Sequence, residues 1–269
     1  MHDHQPSVAC TRIVSDRDGE CRFEITRIGL HSDDPDDPPL AKSAVIPATS
    51  ISFRSTPGNY AFDFHTASRR RLIVLLEGKL EIVTSLGESR VFEVGEVLEV
   101  NDTAGKGHIS RAVGGQPFRS ALINVDDHLV TSRVSPPDST QELGCVKYLR
   151  TFDGDDGRSR TEPGQLPYRQ PGLSGSETNE IPITGFQFVW ASSDLDYAWH
   201  RAPQRQFVIP IIGGMDIENG DGERHLILTG ELYVGEDIAG LGHITRALYG
   251  LERLSIFAHL QGSLIDRDR

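Results

Sequence analysis

The chain has 269 residues, 37% of them hydrophobic, and a formal net charge of −12 with no basic stripe to offset it. That length gives room for two domains, each able to bury a core of its own. The acidic balance excludes a nucleic-acid backbone or an anionic membrane surface as an expected partner, and no apolar run approaches the roughly 18 residues of a membrane span.

Cys10, Cys21 and Cys145 are widely spaced and form no CxxC pair, which fits a reduced compartment. Residues 1–11 lack the cationic start and apolar core of a signal peptide, so the expected location is the cytoplasm. They are expected to be disordered, with His2 and His4 on a solvated end. Arg12-Ile13-Val14 opens an extended run, and Asp18-Gly19 turns the chain into a strand over Cys21–Thr26. Asp33–Pro39 is acidic and proline-rich, an exposed loop whose aspartates lack the spacing of an EF-hand calcium loop. Short strands follow at Ser43–Pro47 and Ser50–Arg54.

Strand candidates then crowd together at Leu72–Leu76, Lys79–Val83, Ser89–Glu93, Val97–Val100 and Phe118–Val125, with glycine turns at Gly78, Gly87 and Gly95. Without a long amphipathic helix, this spacing predicts an all-β chain built as a closed or double-sheet barrel. Val134–Gln141, containing Pro136-Pro137, reads as a linker. Gly154–Thr178, rich in Gly, Pro, Ser and charge, is expected to be an irregular insertion: a solvated loop, a lid or a dimer contact. A second strand series runs through Phe207–Ile211, Met215–Glu218, His225–Leu228, Glu231–Val234 and Arg253–Leu260.

The second series copies the first. His200 lies 135 positions after His65, and His243 the same 135 after His108, with no gap between. Arg70 and Arg205, Gly78 and Gly213, Gly95 and Gly230, and Asp102 and Asp237 coincide at that offset, and roughly a third of the window is identical. The chain is therefore read as an internal duplication, with one His near the start and one near the end of each clear repeat. Asp102 and Asp237 are expected to pair with Arg70, Arg205, Arg111 and Arg246 as buried struts. Tyr197 and Trp199 neighbour His200 but would face away from it on a regular strand.

Leu76-Glu77-Gly78-Lys79-Leu80-Glu81-Ile82 and Phe92-Glu93-Val94-Gly95-Glu96-Val97-Leu98 resemble the strand and glycine-turn motifs of the cupin family. More narrowly, Trp199–Val208 and Asp102–His108 resemble the WHxAPxRQFV and GKGH signatures of a group of small cupin proteins. The resemblance covers almost the whole chain and implies two tandem cupin jelly-roll barrels, a bicupin. Expected boundaries are a tail over 1–11, an N-terminal barrel over 12–130, a linker over 131–144 and a C-terminal barrel over 145–269. Metal-binding cupins present His-x-His, then Glu, then a third His. By that pattern His65, Ala67, Arg71 and His108 stand in the first unit, and His200, Ala202, Gln206 and His243 in the second, so each retains two of four ligands.

His65, Ala67 and Arg71 share parity on one strand, as do His200, Ala202 and Gln206. If His108 and His243 enter from the opposite sheet, each cavity holds two imidazoles a substrate's width apart, able to divide base and acid roles near neutral pH. Arg71 is the candidate for holding a substrate carboxylate, phosphate or enolate. The bland alternative makes these four His hydrogen-bonded core residues.

The reading is a cofactor-free bicupin enzyme acting on a small organic metabolite by isomerisation, cyclisation or elimination. His200, His243 and Gln206 are its first-choice site, and His65, His108 and Arg71 form a second site or a vestige. One alternative is a metal-dependent dioxygenase with one divalent ion (Fe, Mn, Zn or Ni) held by His200, Gln206 and His243. Another is a barrel pair that binds a small ligand without chemistry. Monomer and homodimer both stay open.

Overall fold

In the computed structural model, residues 6–32, 40–125, 144–172 and 174–264 are described. His2 and His4, the acidic loop Asp33–Pro39 and the linker up to residue 143 lie outside them.

The first half contributes β1 (Ser7–Ser15), β2 (Cys21–Gly29), β3 (Leu40–Lys42), β4 (Ser50–Thr56), β5 (Ala61–His65), β6 (Arg71–Glu77), β7 (Leu80–Thr84), β8 (Ser89–Phe92), β9 (Val97–Asn101), β10 (His108–Ala112) and β11 (Phe118–Asn124). The second contributes β12 (Cys145–Asp153), β13 (Ser159–Gly172), β14 (Gly175–Thr178), β15 (Ile181–Ala191), β16 (Asp196–His200), β17 (Gln206–Ile212), β18 (Met215–Glu218), β19 (Arg224–Ile227), β20 (Leu232–Glu236), β21 (His243–Ala247) and β22 (Arg253–Leu260). The fold is all-β, as the dense strand series predicts, and each half is a jelly-roll barrel with two facing walls.

In the first barrel β2-β1-β9-β6-β11-β4 faces β5-β10-β7-β8. In the second, β13-β12-β20-β17-β22-β15 faces β16-β21-β18-β19, the same order. The two large walls join through exchanged strands: β3 pairs with β15, and β14 with β4. Lys42 lies opposite Val189 and Glu177 opposite Arg54, which is the same pair of positions with the halves interchanged. Such reciprocity is what two-fold related units produce.

The run Leu72–Leu76 is buried on both faces, which explains its continuous hydrophobicity. Leu72, Val74 and Leu76 enter the core between the barrels, while Leu75 enters the interior of the first. In the core between the barrels Phe53 of one half meets Phe207 of the other with ring centroids 5.4 Å apart. Burial of rings of this size contributes about 2–3 kcal/mol each.

Three expectations are corrected. Residues 7–11 belong to β1, paired throughout with β2, and Val8 and Cys10 are core residues. Their alternation with Ser and Thr disguises a strand as a polar tail. The strand expected over Ser43–Pro47 falls at Leu40–Lys42, and Ile46 makes only an isolated bridge to Phe186. Gly154–Thr178 is largely β13 and β14 rather than an irregular insertion. β13 pairs with β12 over Ser159–Pro167 and with β14 beyond, so each part has one neighbour and its prolines need not interrupt a ladder on both sides. None of the helices among the described residues is long and apolar enough to cross a membrane.

Candidate active site

His65 ends β5, His108 begins β10, and the two lie directly opposite in the antiparallel pairing. Their rings therefore rise from one sheet and touch, with centroids 4.5 Å apart. This corrects the expectation of imidazoles entering from opposite sheets at a substrate's width. Gly107 makes the approach feasible: its φ is +71°, and a Cβ there would stand 2.0 Å from the His65 carbonyl oxygen.

His65 Nδ1 donates to the Asp63 carbonyl at 2.8 Å, and His108 Nδ1 lies 2.6 Å from Asp102 Oδ2. Because a carbonyl or carboxylate oxygen accepts, the neutral rings carry their protons on Nδ1 and keep the Nε2 lone pairs. Asp102 is fully buried, and the Cys21 thiol also reaches its Oδ2 at 3.8 Å. Burial, followed by Asp102, pushes the Cys21 thiol up to about 12, so the sulfur remains a donor. Burial, with His108 close by, holds the His65 imidazolium below its usual range, favouring the neutral ring.

Among the described residues the two aspartates, Asp102 and Asp237, pair with histidines and not as the expected Arg–Asp struts. Arg70 Nε binds Glu99 at 2.7 Å, Arg111 binds Glu81, and Arg246 binds Glu218 and Asp196. Asp102 and Asp237 instead hold His108 and His243.

Arg71 starts β6 after the turn that follows β5, so His65 and Arg71 do not share one strand as the parity argument assumes. They nevertheless line the same cavity, of about 200 Å³, together with His108, Arg54, Tyr60 and Ser110. Ile73, Leu80, Ile82 and Val100 supply its apolar part, and Ser174 reaches it from the second half. The Tyr60 hydroxyl and Ser110 Oγ are 2.6 Å apart. Arg71 Nη2 donates to Ser68 Oγ at 3.2 Å. Burial, then the neighbouring Arg54 charge, lowers its pKa to about 10. Arg54 itself is held by Glu177, through Nε at 3.0 Å and Nη2 at 2.7 Å. Burial works to raise the Glu177 carboxyl, but Arg54 and Ser52 outweigh it and hold the group below its usual value.

The second barrel repeats the pair of imidazoles. His200 and His243 face each other with centroids 4.3 Å apart, on Ala198 and Asp237 at 2.8 and 2.5 Å respectively. Burial, then His243, lowers the His200 pKa to about 4. A register shift between Tyr197 and His200 brings the Tyr197 ring onto His200 at 4.1 Å, contrary to the regular-strand expectation, while Trp199 is 41% exposed. Gln206 is buried at the start of β17, and among the described residues no hydrogen bond links it to either imidazole. Val208, Met215, Ile217, Ile227 and Tyr233 pack into one cluster in this half. The described cavity lies with His65, His108 and Arg71, while the first-choice site of the sequence reading has this apolar cluster in its barrel.

Among the described residues no group of three or more His, Cys, Asp and Glu side chains is placed to hold a metal ion. Each barrel offers two Nε2 atoms, with the Nδ1 atoms engaged and the buried aspartate engaged through Oδ2, its Oδ1 having no hydrogen-bond partner among the described residues. Arg71 sets a positive charge beside one pair, and the amide of Gln206 is the further donor in the other barrel. This donor set does not fit the resident divalent ion of a metal-dependent cupin.

The sequence reading missed Asp102 and Asp237 as orienting partners, although each precedes its His by six positions in both copies. It had no signal for Tyr60, Ser110, Arg54 or Glu177, which the fold brings to the cavity or its wall.

No family model and no curated protein matches the chain. Similar solved structures include cupin-type barrel proteins. A cupin 2 conserved barrel domain protein from Leptotrichia buccalis is 13% identical at a TM-score of 0.41, over 86% of this chain and 92% of that one. A protein of unknown function from Pseudomonas syringae is 11% identical at 0.36, over 95% and 99%. A salicylate 1,2-dioxygenase variant from Pseudoaminobacter salicylatoxidans is 12% identical at 0.34, over 81% and 69%.

Proposed function

We propose that the N-terminal barrel is the active site of a cupin-type enzyme that moves a proton on a small anionic organic metabolite, in an isomerisation, cyclisation or elimination. The observation that carries this reading is that His65, His108 and Arg71 line one cavity while Asp102 holds His108 from behind.

In the proposed reaction Arg71 binds a substrate carboxylate and stabilises the enolate that develops next to it. Nε2 of one imidazole takes the proton from the adjacent carbon, and the electron pair of that C–H bond moves into the enolate. The imidazolium returns the proton to another carbon in an isomerisation, or to the departing group in an elimination. Asp102 fixes the His108 ring with Nε2 toward the cavity and stabilises its charge once it forms. The Tyr60–Ser110 hydroxyl pair is a polar contact for substrate oxygen.

The site preferred here is the N-terminal one, in place of His200, His243 and Gln206, because Arg71 and open volume coincide there. The dioxygenase reading lacks a fitting donor set in either barrel. The proposal is tested by incubating the chain with short 2-oxo, 2-hydroxy and unsaturated carboxylates in D2O and following them by NMR. Deuterium incorporation or product formation that is abolished in a His65→Asn/His108→Asn double variant is expected. Identical spectra for wild type and the double variant would overturn it.

A further inference from the structure

Arg253 heads β22 in the second barrel and is only 4% exposed. Among the described residues its Nε and Nη1 have no hydrogen-bond partner. Burial lowers its pKa to about 10, and no carboxylate offsets that effect. An uncompensated guanidinium in a protein interior is strongly unfavourable unless an anion joins it. Two residues along the same strand, Ser255 is fully buried and its hydroxyl also lacks a partner.

Residues two apart on a strand project to one face. That face is the barrel interior, since the positions equivalent to Arg253 and Ser255 in the first half are Phe118 and Ser120, both lining the N-terminal cavity. Arg253 is near enough to His200 for its charge to oppose protonation of that ring. His200 and His243 use Nδ1 on Ala198 and Asp237, which leaves Nε2 lone pairs rather than further donors. The Arg253 guanidinium thus lies beside the unpartnered Ser255 hydroxyl and near the His200–His243 pair, while a buried carboxylate of this barrel, Asp237, is engaged by His243.

We infer that the C-terminal barrel binds a small carboxylate, held by Arg253 and Ser255 beside the His200–His243 pair. The ligand is short, because Tyr233, Met215 and Phe257 occupy positions that Leu98, Leu80 and Leu122 hold in the first barrel. This site rests on residues separate from those of the proposed N-terminal reaction, so either assignment can fail alone.

The test is the thermal midpoint of the full chain titrated with sodium acetate at fixed ionic strength, with sodium chloride as the inorganic comparison. A saturable rise is expected with acetate and not with chloride. It should persist in Arg71→Met and, in that background, weaken on Ser255→Ala and require at least about tenfold more acetate, or vanish, on Arg253→Met. The inference is overturned by no rise in the wild type, an equal rise with chloride, a response lost in Arg71→Met, or a response in that background unchanged on Arg253→Met. Should Arg253→Met fail to fold, an acetate response in the Arg71→Met background unchanged on Ser255→Ala overturns it.

Discussion

His108 and Asp102 lie 2.6 Å apart, with the aspartate fully buried behind a ring whose other nitrogen is left for the cavity. Asp102→Asn removes the charge but keeps the shape, so the ring loses its fixed tautomer while the barrel stays intact. Turnover is expected to fall on the order of a hundredfold or more with KM little changed. Steady-state kinetics and a circular dichroism melt of the variant check both halves of that statement.

Arg71 is a half-buried cation that donates from Nη2 to Ser68 Oγ. Arg71→Met removes the anion clamp together with the desolvated charge. Substrate affinity is expected to weaken by about 10- to 100-fold, while the thermal midpoint stays level or rises. A loss of stability matching the loss of binding would make Arg71 a structural strut.

Gly107 and Gly242 place their chains where a Cβ would stand 2.0 Å from the carbonyl oxygens of His65 and His200, at φ of +71° and +78°. Alanine at either position must push the paired strands apart. Each substitution should cost about 2–4 kcal/mol in a denaturant titration. Gly107→Ala should also impair turnover, because it displaces both imidazoles of the proposed site, whereas Gly242→Ala should spare it once folded.

His200 has a pKa of about 4 against an ordinary 6.5, owing first to burial and then to His243. Between those values the unfolded chain binds a proton that the folded chain refuses. Stability is therefore fully present above about pH 6.5 and is lost as pH falls toward 4. His200→Gln should remove about 1–3 kcal/mol of that acid-linked loss, measured as the difference between unfolding free energies at pH 7 and pH 4.5. An unchanged pH slope in the variant would count against burial of a neutral ring.

Much of the fold was legible because local rules and the repeat agree. The strand at Val97–Val100 and the run Leu72–Leu76 appear where alternation, glycine turns and hydrophobicity place them. Residues 7–11 and 159–172 were misread because their polar residues and prolines sit on strands with an open edge or face. The exchange of β3 and β14 could not be read, since pairing across more than 120 positions leaves no local trace. At the site, residue types were legible and directions were not. His65, His108 and Arg71 were identified, but parity along one strand fails where a turn separates β5 from β6. Asp102 was assigned to an arginine because spacing alone does not tell which neighbour a buried carboxylate will choose.

Single substitutions in the two barrels decide most directly where the chemistry lies. With a substrate found by deuterium incorporation, His108→Asn and His243→Asn are compared for turnover under identical conditions. The N-terminal assignment predicts that His108→Asn loses activity by a hundredfold or more while His243→Asn stays within about twofold of the wild type. Retained turnover in His108→Asn with its loss in His243→Asn would contradict it.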